Sequence, residues 1–276
     1  VGKSEGRYTL KKSENPKGEG QMRKLILLIS VMVVATFLAV QSYAIPPIAL
    51  WLFDDGAGEV AVDSTGNGYN GTLRNSPTWG EGRFGGGLWF SAAAGSNVIA
   101  PVPYLNTLTI TMWGLYTNLA SNNIGLIHVQ AGEDENADPG SKIIGIWVEN
   151  TSLFWGRIIP VDVGNVNFPK NANVPANEWN HFAMVIDAST GKATEYLNGE
   201  AVGEVDYAGE LTEFTFMNIG RQGDESWEGG IDEVALFDAA LTQQEIMSAM
   251  ANGLGSITAV SPGGKAAVLW GGIKSR

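Results

Sequence analysis

Two stretches at opposite ends of the chain constrain its fold most. Near one end Trp51-Leu52-Phe53 runs into Asp54-Asp55-Gly56-Ala57-Gly58 and on to Asp63-Ser64-Thr65-Gly66-Asn67-Gly68. Far downstream, Gly229-Gly230 leads into Ile231-Asp232-Glu233-Val234-Ala235-Leu236-Phe237. Each reads as a strand beside a tight turn that carries carboxylates. A fold that pairs the first part of the domain with the last, within closed antiparallel sheets, accommodates both.

Between them, short apolar runs recur between Gly, Asn, Asp and Pro clusters: 48–53, 87–90, 97–100, 108–115, 124–129, 143–148, 153–158, 181–187, 194–197, 214–219 and 231–237. Runs of this length bounded by turn residues read as strands. Tyr196-Leu197-Asn198-Gly199-Glu200-Ala201-Val202 is the clearest hairpin, because Asn-Gly takes the positive φ angles of a type I′ turn at little cost. One helix is expected near the end. Thr242 with Glu245 three residues on makes a capping box, Leu241 and Ile246 are spaced as a hydrophobic staple, and Asn252-Gly253 supplies the stop. No long helices alternate with the strands, which disfavours a doubly wound α/β fold.

The first 44 residues stand apart. Met22-Arg23-Lys24 opens a basic region, Leu25 to Val40 is an uncharged run of 16 residues, and Ser42-Tyr43-Ala44 offers small residues at a cleavage site. We read 22–44 as a signal peptide starting at Met22, and 1–21 as an upstream or disordered extension. The alternative is a retained membrane anchor, for which 16 residues fall short of the ~20 that span a bilayer as a helix. Secretion, or exposure at the cell surface or in the periplasm, follows from cleavage. The absence of cysteine removes both lipoprotein attachment and disulfides, so an exported domain must be held by its core, its sheets or a metal.

Residues 1–44 carry seven of the 17 Lys/Arg and three of the 29 Asp/Glu, which leaves 10 basic and 26 acidic residues, a formal charge of −16 over the remaining 232. So acidic a body repels phosphate backbones and argues against nucleic acid as a partner. Residues 45–253 suffice for one substantial core. After Gly253 the composition shifts to Gly, Ser, Ala and Pro, and the 254–276 tail reads equally as a linker, an edge strand or a partner-binding segment.

With the strands placed, the chain resembles the laminin G-like members of the concanavalin A-like jelly-roll superfamily. The resemblance rests on Trp51-Leu52-Phe53-Asp54-Asp55-Gly56; Asp63 to Gly68 with Gly71-Thr72-Leu73; Phe84 to Phe90; Trp179-Asn180-His181-Phe182-Ala183; Tyr196 to Gly199; Asn218-Ile219-Gly220; Ile231 to Val234; and Ala240-Leu241-Thr242 with Glu245-Ile246. It implies an all-β, two-sheet antiparallel jelly-roll sandwich with one short C-terminal helix. It also implies a concave face and loop rims that bind carbohydrates, proteins or cell-surface components, often beside calcium. The acidic stretch Glu133-Asp134-Glu135 to Asp138 departs from the pattern; it reads as solvated surface, a second cation site or a receptor-facing rim.

Candidate site residues follow from chemistry. Asp63, Asn67 and Asp232 are candidates for a structural Ca²⁺, since a hard cation needs converging oxygens that short Asp, Asn and Gly residues supply. Equally, Asp63 and Asn67 form Asx-turns and Asp232 satisfies a backbone N–H. Trp51, Trp89, Trp113 and Trp179 lie in motif strands and are assigned to the core. Alternation along 143–149 places Ile144, Ile146 and Val148 on one face and Trp147 with Glu149 on the other, making Trp147 a candidate stacking surface. Trp155 with Arg157, and Trp227 beside Arg221 and Asp224, offer similar pairings for a sugar's apolar face and hydroxyl edge, against the plainer reading of packed interior.

Catalysis has little to stand on. Glycosidases need two carboxylates across the scissile bond, yet no Glu-x-Asp-x-x-Glu arrangement occurs, and regular strand geometry sends Asp232 and Glu233 to opposite sides. His128 and His181, the two histidines, read as half-buried structural residues. The leading expectation is therefore a non-catalytic module recognising a glycan or another extracellular ligand. A protein-binding adhesion module and a divergent polysaccharide hydrolase or lyase are the alternatives.

Overall fold

Strands this short are stable only when a second sheet covers one of their faces, and the packing follows that requirement. The structure is a computed structural model that describes residues 45–119, 123–133, 142–222 and 225–255. The expected leader, nearly all of the tail, and Asp134 to Asp138 lie outside the described residues. In chain order the first strands are β1 (Ala49–Trp51), β2 (Val60–Ala61), β3 (Gly71–Arg74), β4 (Thr78–Glu81), β5 (Gly86–Phe90), β6 (Asn97–Pro101) and β7 (Leu108–Tyr116). There follow β8 (Asn123–Gln130), β9 (Lys142–Glu149), β10 (Leu153–Ile158), β11 (Val166–Asn167), β12 (Ala172–Asn173) and β13 (Asn180–Asp187). The last are β14 (Lys192–Leu197), β15 (Glu200–Asp206), β16 (Phe216–Ile219), β17 (Arg221–Gln222), β18 (Glu225–Ser226) and β19 (Gly229–Phe237), before helix α1 (Gln243–Asn252).

These form two large antiparallel sheets. The first runs β15-β14-β13-β7-β19-β5-β4, and β1 pairs with β19 beyond the end of β5. The second runs β11-β10-β9-β8-β16-β6-β3-β2, with β12 paired to β10. The expected meeting of the chain's two ends is direct: Trp51 lies opposite Val234 and Ala49 opposite Leu236. Between the sheets Met112, Phe182, Met184 and Ile231 meet Leu126, Ile146, Phe154 and Met217 in one cluster. Phe154 and Phe182 touch edge to face across it, with ring centroids 5.2 Å apart.

The first sheet is covered on both sides. Helix α1 lays Ile246 and Ala249 on Ala183, Val185, Ala235 and Phe237 of its outer face. Its capping box is complete, and the Gly253 N–H caps its end by donating to Ala249. Leu241 and Ile246 are buried together, as a staple requires. The Asn198-Gly199 turn between β14 and β15 has φ of 51° and 83°, as expected of type I′. The second sheet is packed on its inner face, so β10 alternates half-exposed with buried: Leu153, Trp155 and Arg157 outward, Phe154, Gly156 and Ile158 inward.

One strand departs from regular geometry. Between Asp232 and Ala235 the register of β19 on β7 slips, and Glu233 takes φ 51°. The expectation that Asp232 and Glu233 point to opposite sides of a regular strand is therefore corrected, since a bulge re-aims side chains. Both carboxylates are buried. Glu233 accepts the backbone N–H of Leu254, and Asp232 accepts that of Phe84 at 2.9 Å.

Candidate functional site on the outer face of the second sheet

The outer face of β8, β9 and β10 gathers aromatic and charged groups. Trp155 lies directly opposite Trp147, and Arg157 opposite Gly145. The two indoles stack at 4.5 Å and 13°. Gly145 makes room for this: a Cβ there would come within 2.0 Å of the Trp147 ring. Arg157 places its guanidinium carbon 5.4 Å from the Trp147 ring centre, and the Lys170 ammonium lies 4.4 Å from that of Trp155. A charged head on an aromatic ring is held there by the ring quadrupole.

Carboxylates frame the pair. Glu225, carried by the β17–β18 hairpin that packs on β8, accepts the Trp147 indole N–H at 2.8 Å and the Asn123 amide at 2.7 Å. Trp155 in turn donates its indole N–H to Asn123 Oδ1 at 3.4 Å. Glu149 takes the Lys170 ammonium at 2.7 Å and the Thr151 hydroxyl at 3.0 Å. The Lys170 hydrogen bond holds the Glu149 carboxyl below its ordinary pKa. Burial lowers the pKa of Arg157, and the nearby charge of Glu225 works against that. Further across the sheet, His128 lies opposite both Gly145 and Asn218, and Asn97 donates to Asn218 Oδ1 at 2.9 Å. These three are buried, and an Arg74–Glu133 ion pair borders the row.

Trp155 and Arg157, paired in the sequence, share the half-exposed face of β10, but the guanidinium lies over Trp147 and it is Lys170 that lies over Trp155. Trp147, however, is only 2 % exposed, because Trp155, Arg157 and Glu225 occupy its surroundings; Trp155 is the half-exposed member of the pair. Trp227 is a correction. It is fully buried at an edge of the core, touches Tyr116, and donates its N–H towards Leu115 and Gly230 carbonyls. It therefore has no surface to offer a ligand. Arg221 sits on the hairpin that carries Glu225 but reaches the Gly95 carbonyl at 3.3 Å, away from the indoles. Asp224 lies outside the described residues. Glu225, Asn123 and Lys170 had no sequence signal, since each acts across the sheet from a distant segment.

Of the tryptophans assigned to the core, Trp51 and Trp113 are buried, while Trp89 and Trp179 are half-buried and lie edge to face at 6.5 Å. Both histidines are more deeply buried than expected. His181 packs its ring on Trp113, and burial pushes its pKa down to about 3.

The residues expected to hold calcium are engaged in hydrogen bonds of their own turns. Asp63 is the hub of its own turn: Oδ1 accepts the N–H groups of Leu50 and Thr65 and the Thr65 hydroxyl, and Oδ2 accepts Tyr69 N–H at 3.0 Å. These donors crowd Oδ1, while Oδ2 has one. Asn67 gives its amide to the Ile48 carbonyl at 2.9 Å, and Asp232 binds a different turn at Phe84. Among the described residues no three His, Asp or Glu side chains are grouped to hold a metal ion.

Two large antiparallel sheets packed face to face, with an aromatic and charged patch on the outer side of one, define a jelly-roll sandwich. The family model for the concanavalin A-like lectin/glucanases superfamily, Laminin_G_3, matches residues 84–247, more than half of the chain, and the chain belongs to this family. No curated protein sequence matches it. Among solved structures it is similar to domain 4 of AbnA, an extracellular arabinanase from Geobacillus stearothermophilus, solved in complex with arabinotriose. That match has 18% identity and a TM-score of 0.57, over 74% of this chain and 98% of that one. It is also similar to the binding domain of Paraclostridial Mosquitocidal Protein 1 (14% identity, TM-score 0.56, 72% and 50% covered). The botulinum neurotoxin serotype D binding domain gives 14% identity and a TM-score of 0.54, with 74% and 51% covered. The chain spans about half the length of these two toxin domains. Among the described residues no helix is long and apolar enough to cross a membrane.

Proposed function

We propose that this protein is a secreted, non-catalytic module that binds carbohydrate on the outer face of its second sheet. One observation carries the reading: a half-exposed Trp155, stacked on a buried Trp147, stands among Arg157, Lys170, Asn123, Glu149 and Glu225. An indole braced by a second ring offers a rigid apolar surface to a sugar's C–H groups, and the surrounding polar groups suit its hydroxyls. The arabinanase domain solved with arabinotriose supports the ligand class by its fold. The carboxylates on this face are committed to indole, amide and ammonium partners, which suits positioning better than acid–base work.

The test is a glycan array followed by calorimetry with arabinotriose and other oligosaccharides. Binding that Trp155→Ala abolishes without lowering the melting temperature supports the reading. Undiminished binding by that variant, or capture of proteins with no glycan bound, overturns it.

A further inference from the structure

Resting on that carbohydrate-binding reading, we propose that the site selects an acidic sugar, and that the Arg157 guanidinium receives the carboxylate of a uronate residue. Three observations converge. Arg157 enters none of the ion pairs among the described residues, and its Nε is buried without a hydrogen-bond partner. Glu225, whose charge acts on Arg157, makes no ion pair with it and accepts from Trp147 and Asn123, one on each oxygen. The guanidinium nevertheless lies over Trp147, and Arg157 shares the half-exposed face of β10 with Trp155. With Nε sealed against the sheet, the two Nη groups at the end of this half-exposed side chain are the donors a ligand can reach, and a pair of parallel N–H groups matches a planar carboxylate better than a hydroxyl.

The charge of the whole domain narrows the ligand further. At −16 over residues 45–276, the body repels a long polyanion, and screening at physiological salt acts only beyond ~8 Å. Lys170, the other cation at the platform, is already paired with Glu149. The site therefore fits an isolated uronate on an otherwise neutral glycan, not a run of them.

The experiment uses the indole N–H signal of Trp155, followed by NMR during titration of the protein with D-glucuronate, D-galacturonate, their methyl esters, glucose, galactose and arabinotriose. Charge is the main difference between each acid and its ester, so the comparison isolates the carboxylate. The acids should bind ~10-fold more tightly than the esters, the ratio that 1.4 kcal/mol provides, and Arg157→Gln should bring that ratio close to one. Arg157→Lys should recover only part of it, because an ammonium cannot bind a carboxylate in a fork. Equal affinity for acid and ester with a Trp155 shift intact overturns the acidic preference and leaves carbohydrate binding standing. A ratio unchanged in Arg157→Gln removes Arg157 from the role. No shift at Trp155 with any sugar sinks both readings.

Discussion

Asp232 accepts the backbone N–H of Phe84 at 2.9 Å, joining positions 148 residues apart where β19 bulges. The same carboxylate takes the N–H of Glu233 at 2.7 Å. Burial dominates these bonds and pushes its pKa up to about 7.

A raised carboxyl pKa gives stability that is complete below the unfolded value and is lost as pH climbs through the folded one. Between about pH 4 and about 7 the wild type therefore loses stability relative to Asp232→Asn, which has no proton to release. Urea melts at pH 5 and pH 8 check this. The stability difference must move towards the variant as pH rises, and a constant difference would refute it.

His181 has the opposite sign. Its pKa is pushed down to about 3 by burial, so its neutral form stabilises the fold above about pH 6.5 and that contribution is lost as pH falls towards 3. His181→Phe keeps a ring against Trp113 and should give a shallower fall in melting temperature between pH 6 and pH 4. An identical acid limb in wild type and variant would contradict the assignment.

Glu195 is 1 % exposed, its two oxygens lack partners, and it faces Gly156 and Met184 between the sheets. Burial raises its pKa well above the ordinary range. Glu195→Met should stabilise the domain at pH 8, because holding a buried, unpartnered carboxyl in the core costs more as pH rises above the unfolded carboxylate range. The gain should shrink at pH 4.5, where the wild-type carboxyl keeps its proton. Calorimetry at both values reads the difference; a loss of stability at pH 8 would count against it.

Asp63 organises the turn between β2 and β3. Asp63→Ala leaves the buried Leu50 N–H and its neighbours without an acceptor and should cost on the order of 3 kcal/mol. Chemical denaturation with millimolar calcium or with chelator should give the same difference between wild type and variant. A difference that appears only with calcium would show a cation role for this turn.

The stacked indoles separate stability from binding. Trp147→Ala empties a buried position and should cost about 3–5 kcal/mol in urea melts. Trp155→Ala removes a half-exposed ring and should cost far less while abolishing sugar binding. Equal destabilisation by the two would make the pair purely structural.

Several elements were legible in the sequence because their determinants are local. Asn198-Gly199 sets its own turn, and Thr242 with Glu245 starts its own helix, since the atoms that satisfy each other lie within a few residues. The pairing of Trp51 with Val234 was also foreseeable from two distant motifs that only a closed sandwich reconciles. The site was only partly readable. Alternation put Trp155 and Arg157 on one face, but no spacing linked them to Glu225 or Lys170, which arrive on other segments.

By itself, then, the sequence determined the longer apolar strands, the Asn-Gly turn, the helix and the antiparallel class, while short or polar strands such as β3, β4 and the β17–β18 hairpin carry no apolar run to mark them. Tertiary structure alone decided which side of each strand met another layer. A period of two defines a pair of faces without saying which one water reaches, and burial is a property of the neighbour. That is why Trp227 turned inward, why Trp147 vanished beneath its partners, and why Glu195 came to lie between the sheets.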